Sequence, residues 1–118
     1  PPRSTLFPYT TLFRSLTGLA LRGKAFEAGV PIFAGTDAGG VMPPGILGQQ
    51  VELLAHIGGA EMALGAASWR ARDWLGRPCL EEGASADLVV FDADPRVDLA
   101  TVRHPRIVVL RGRIVRSV

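Results

Sequence analysis

The stretch GVPIFAGTDAGG, residues 29–40, decides how the rest of the chain is read. It opens on Gly29, a residue suited to closing a helix because it adopts a left-handed conformation without a Cβ penalty. An apolar run follows, Val30 to Ala34, in which no polar residue alternates with the apolar ones. A run of that kind suits a parallel strand buried on both faces, and Pro31 is tolerable near its start. The run ends in GTDAGGVMPPG, residues 35–45, a loop with four glycines and two prolines. Asp37 therefore stands just past the carboxyl end of an expected strand. Ligands and catalytic groups collect at that end in α/β folds.

Upstream, LTGLALRGKAFEAG, residues 16–29, is rich in Ala and Leu and should be helical. Leu16, Leu19, Ala20 and Phe26 form its apolar side, with Gly18 and Gly23 weakening it. Downstream, ILGQQVELLAHIGG, residues 46–59, places Leu47, Val51, Leu54 and Gly58 at helical spacing and should stop at Gly58-Gly59. A third helix is expected over AEMALGAASWRARDWLG, residues 60–76, stopped at Gly76 with Pro78 beyond. Its small residues allow close packing, and Trp69 and Trp74 offer large areas to bury. From Arg77 the texture turns to loops and short strands. Ala86 to Phe91 reads as one strand, and RIVVLRGRIVRSV, residues 106–118, as two more joined by a hairpin turn around Gly112.

The first fifteen residues, PPRSTLFPYTTLFRS, obey no period and carry no capping logic. Back-translated with suitable codons, all fifteen read as a common short-read sequencing adapter. Residues 1–15 are therefore expected to be a translated artefact without coherent structure. Setting Arg3 and Arg14 aside leaves eleven Lys and Arg against eleven Asp and Glu, so the basic excess disappears. With it goes the expectation of a nucleic-acid partner. No run of eighteen apolar residues exists, so no membrane partner is expected. The single cysteine, Cys79, cannot form an internal disulfide, which fits a cytoplasmic setting.

Asp37 has two readings from the residues alone. A carboxylate flanked by glycines at a strand end can bind a metal and accept a proton from metal-bound water. It can equally be a loop aspartate that caps nearby backbone N–H groups. One carboxylate is not a metal site, since zinc wants three protein ligands or more.

Taken together, GVPIFAGTDAGG, then EMALGAASWRARDWLG (61–76), then LEEGASADLVVFDADPRVDLATVRHPRIVVLRGRIV (80–115) resemble the carboxyl end of metal-dependent amidohydrolases, nearest the imidazolonepropionase-like branch. The likeness covers essentially all of residues 16–118, in the family's order. It implies an α/β fold: the last αβ units of a (β/α)8 barrel over residues 16–76, and the carboxyl-terminal strands of a small β-sandwich over residues 77–118. Ile32 to Ala34 would belong to the eighth barrel strand. The resemblance makes Asp37 both the metal-binding and the catalytic aspartate, handling the proton of the attacking water. The cofactor it implies is a divalent metal, zinc in the first instance, in an intact parent and not in this fragment alone. The reaction would be hydrolysis of a C–N bond other than a peptide bond, in a small-molecule amide or cyclic amide. A homo-oligomer is compatible with the sequence.

The departures are as informative. The family's His-x-His pair, mid-barrel carboxylate or modified lysine, and later histidines have no counterpart here. His56 lies mid-helix and His104 in a turn before Pro105, neither placed as a ligand. Pro44 stands where related sequences often carry a histidine before the glycine. Asp87, Asp92, Asp94 and Asp98 lack the spacing of a calcium loop and read as strand-end turn residues. Glu81-Glu82 read as a solvated pair. No phosphate-binding glycine loop with its Lys follows a strand, which argues against nucleotide binding. The alternative to a hydrolase fragment is a non-catalytic α/β packing or interaction module.

Overall fold

A computed structural model of the chain describes residues 16–40 and 42–117. The expectation that residues 1–15 lack a coherent element falls outside the described residues. The chain divides into two compact units, one ending at Ile32 and the other running from Phe33. Helix and strand are mixed, in the order α1 (Leu16–Glu27), α2 (Leu47–Ala67), α3 (Trp69–Trp74), β1 (Leu88–Val90), a 3₁₀ helix (Leu99–Arg103), β2 (Ile107–Leu110) and β3 (Arg113–Ser117).

Helix α1 ends as its sequence anticipates. Gly29 takes a φ of 78°. Its N–H donates to the Phe26 carbonyl at 2.9 Å, and the Val30 N–H reaches back to Ala25 at 3.0 Å. These are the paired bonds of a Schellman cap, which satisfy carbonyls the helix leaves without partners. The expected apolar side is weakly expressed: Leu19 is half-buried, while Ala20 and Phe26 are exposed.

In the second unit, the two expected helices run as one element, broken at Gly59 (φ 85°, ψ 172°). Only glycine adopts such a conformation readily, so the Gly58-Gly59 pair does interrupt the helix without ending it. The break lets two buried sets form: Val51 and Leu54 before it, and Met62, Ala63 and Ala66 after it, with Ile46 just ahead of α2. Leu47, expected on the same face, stays exposed. A second interruption at Ser68 separates α3. That helix closes at Gly76 with another Schellman cap, in which Gly76 N–H meets Asp73 O at 2.9 Å and Arg77 N–H meets Arg72 O at 2.8 Å. The tryptophans bury less than their size suggested. Trp69 is 43% and Trp74 68% exposed.

The expected strand at Ile32–Ala34 does not form. A strand requires a partner ladder, and among the described residues no other strand lies beside this segment. The Ala34 N–H instead donates to Ala66 O at 3.0 Å, one of the last carbonyls of α2. Phe33 and Trp74 lie face to face at a tilt, ring centroids 5.0 Å apart. Among the described residues no barrel is seen; the strands that do form make one three-stranded antiparallel sheet in the order β1-β2-β3.

The sheet bears out the tail reading, with β1 shorter than the Ala86–Phe91 expected. Leu88 faces Val109 and Val90 faces Ile107 across β1 and β2. The hairpin turn is the two residues Arg111 and Gly112, at φ 51° and 76°. Positive φ at both central residues is the type I′ geometry, whose twist matches the strands it joins. Between β2 and β3 the register shifts: Val108 faces Arg116 while Val109 faces Ile114, leaving Val115 as a bulge.

Candidate functional site

Asp37 sits in the loop that leads from residues 33–34 to helix α2. It is exposed and holds a φ of 51°. Non-glycine residues rarely occupy this region, and Asp is among the few that tolerate it. Around it the loop is ordered by its own backbone. The Ala38 N–H donates to Thr36 Oγ1 at 3.3 Å. The Gly39 N–H donates to Met42 O at 3.2 Å, and an isolated bridge joins Ala38 to Met42. Among the described residues no hydrogen bond or ion pair of the Asp37 carboxylate is seen.

The structure does not bring other ligands to Asp37. Among the described residues no group of three His, Cys, Asp or Glu side chains is arranged to hold a metal ion. His56 is exposed on α2, and His104 is the residue that ends the 3₁₀ helix. Cys79 is half-buried, with its thiol 3.6 Å from the Trp69 carbonyl.

The aspartates of the tail each have a separate structural partner. Asp87 accepts the Arg111 N–H at 2.7 Å and lies 3.8 Å from an Arg72 nitrogen. The Arg111 backbone bond, with help from Ser85 and the two arginines, holds the Asp87 carboxyl below its ordinary range. The Ala86 carbonyl takes the next N–H, that of Gly112, at 3.0 Å. The start of β1 thus grips the tip of the hairpin. Asp94 is clamped by the Arg96 guanidinium (2.7 Å) and by the Arg96 N–H (2.9 Å), which lower its pKa to about 2. Asp92 pairs with Arg106 at 2.8 Å. Asp98 caps the 3₁₀ helix by accepting the Ala100 N–H at 3.1 Å. These four carboxylates are turn and strand-end devices, as their spacing indicated.

Two contacts that sequence reasoning missed join the tail to α2. Arg103 sets two guanidinium nitrogens against both carboxylate oxygens of Glu52, a bidentate pair. Gly48 faces the same arginine so closely that a Cβ there would lie 3.2 Å from Arg103 Cγ. No local signal ties Glu52 to a residue fifty-one positions away. Arg72, besides facing Asp87, donates from Nε to Pro78 O at 2.7 Å. Glu81 and Glu82, exposed, border a shallow open depression of about 290 Å³ with Leu80, Ser85 and Leu88.

The chain is similar to uncharacterized proteins of Mycobacterium bovis and of two strains of Mycobacterium tuberculosis, each 47% identical over 111 residues. The match takes in 89% of this chain and 30% of each relative, so the chain spans about a third of the length of the curated proteins it matches. No family model matches it, and no solved structure does.

Proposed function

We propose that this chain is a carboxyl-terminal part of a metal-dependent amidohydrolase, one that hydrolyses C–N bonds other than peptide bonds in a small amide or cyclic amide. The observation that carries the reading is Asp37: an exposed carboxylate at φ 51°, without a structural partner among the described residues, standing where the resemblance expects a metal-binding and catalytic aspartate. A backbone held in a sparsely populated region, with its side chain unused for packing or capping, fits a residue kept for chemistry. Relatives more than three times longer than the aligned part supply room for the missing elements of a barrel. In this reading Ile32 to Ala34 would become part of the eighth barrel strand once neighbouring strands are present, and the sheet of β1, β2 and β3 would complete a sandwich.

The residues present do not by themselves fit a metal. Asp37 supplies at most one ligand, and a zinc site requires three or more. The isolated chain should therefore bind no stoichiometric zinc and show no amidase activity. The test is made in the full-length parent, by measuring turnover and metal content of wild type and Asp37→Asn. General acid–base contributions are worth roughly 10²–10⁴-fold, so turnover should fall at least about a hundredfold while the melting curve stays unchanged. Near-wild-type turnover in the Asn variant would remove Asp37 from the chemistry. A parent gene without a His-x-His pair upstream would favour the non-catalytic packing module.

A further inference from the structure

The sequence contains one Asp-Pro dipeptide, Asp94-Pro95. A peptide bond of this kind carries its own nucleophile, because an aspartate side-chain oxygen can close a five-membered ring on the carbonyl carbon of the same residue. Its leaving nitrogen belongs to a tertiary amide and has no N–H. In the structure the two halves of that reaction are treated oppositely. The Asp94 carbonyl oxygen accepts two backbone N–H bonds, from Val97 at 3.0 Å and from Asp98 at 3.1 Å. Two donors on one carbonyl oxygen polarise its carbon and stabilise negative charge that builds on the oxygen. The nucleophile, in contrast, is held. Arg96 Nε lies 3.0 Å from Asp94 Oδ1 and 3.1 Å from Oδ2. Arg96 Nη2 reaches Oδ2 at 2.7 Å, and the Arg96 N–H reaches Oδ1 at 2.9 Å. Both carboxylate oxygens thus have their lone pairs engaged by a single residue. Glu61 of helix α2 adds its charge to the same guanidinium. The other carboxylates of the turn are occupied elsewhere, Asp92 with Arg106 and Asp98 with the Ala100 N–H.

We propose that Asp94–Pro95 is a latent self-cleavage site, which Arg96 keeps closed by holding the nucleophile. Once released, an Asp94 side-chain oxygen attacks the Asp94 carbonyl carbon and closes a cyclic anhydride. The bond from that carbon to the Pro95 nitrogen breaks, and its electron pair takes a proton from the acidic medium, so Pro95 leaves as a secondary amine. Water then opens the anhydride and restores the aspartate. The sum is hydrolysis of one peptide bond, with a new carboxyl terminus at Asp94 and a new amino terminus at Pro95. All the groups that act lie between residues 94 and 98, so the device is local to this turn.

The test is incubation of the full chain near pH 4, with the products identified by mass spectrometry and the fold followed by circular dichroism. Arg96→Ala should cleave about fivefold faster than wild type, the weight of an exposed ion pair. In concentrated urea, which removes the turn, the two should cleave at the same rate. Asp94→Ala has no nucleophile and should stay whole at this bond. Arg96→Lys keeps the charge without the two-pronged fork and should fall between wild type and the alanine variant. It decides the matter if the alanine variant loses its circular dichroism. Equal rates for folded wild type and the folded Arg96 variants overturn the proposal. So does an Asp94→Ala variant that is cut at the same bond, or an Arg96 effect that persists undiminished in urea.

Discussion

Replacing Gly59 with alanine tests what holds helix α2 in two pieces. The residue has φ 85° and ψ 172°, a region essentially closed to L-residues with a side chain. A Cβ built there meets nothing within 4 Å, so no tertiary clash contributes and the whole effect is local to the backbone. Keeping the observed conformation would then cost roughly 1–3 kcal/mol. The opposing term is that alanine favours an unbroken helix by about 1 kcal/mol over glycine. Straightening, however, would turn Met62, Ala63 and Ala66 away from the positions in which they are buried. Burial of a Met or Leu side chain is worth roughly 1.5–3 kcal/mol, so straightening loses more than propensity returns. The expected outcome is net destabilisation, read as a urea midpoint lowered by roughly 1 M at an m-value of about 1.5 kcal/mol/M. Gly58→Ala is the neighbouring contrast. Gly58 keeps helical dihedrals, so its substitution should raise the midpoint. An unchanged or raised midpoint for Gly59→Ala, with a gain in helical ellipticity, would show that packing does not impose the break.

Three further outcomes follow from the geometry. The folded-state pKa of Asp87 is depressed, so its stabilisation is complete above the ordinary carboxylate pKa and disappears as pH falls through the lower folded value. Protection of the Arg111 amide against hydrogen exchange should fall with acidification in wild type and lose that pH dependence in Asp87→Asn. Gly112→Ala forces a left-handed residue with a Cβ into the hairpin turn and should cost about 1–2 kcal/mol, seen as a lowered urea midpoint with strand signals lost first. Gly48→Ala should displace Arg103 by a few tenths of an ångström and weaken its pair with Glu52, measurable as a smaller coupling in a double-mutant cycle of those two residues.

What could be read in sequence was local. The stops at Gly29 and Gly76 were legible because a left-handed glycine after a helix has a single common use, and both make the same cap. The hairpin at Arg111-Gly112 was legible for a related reason: two β-branched runs separated by a turn with glycine leave little choice. The Ile32–Ala34 segment was not, because its apolar run states only that it wants covering. Whether it pairs in a ladder depends on strands not seen among the described residues. The extra length of α2 was hidden for the opposite reason, since a glycine pair that usually ends a helix here only bends it. At the site, the position of Asp37 in a glycine-rich loop was evident from its neighbours. Its left-handed backbone and unused carboxylate were not. The attachment of Arg103 to Glu52 had no sequence signal at all.

That attachment also fixes how the second unit responds to its solvent. Two ion pairs, Arg103–Glu52 and Arg72–Asp87, run between the helices and the tail, and all four side chains are partly open to water. The Debye length shrinks from about 10 Å at 0.1 M ionic strength to about 3 Å at 1 M. Apolar burial is not screened in that way, so α2 keeps its interior and the hairpin keeps its backbone ladder as salt rises. Concentrated salt should therefore weaken these two ties first, while contacts to a neutral partner between the same parts, such as Arg72 Nε to Pro78 O, persist.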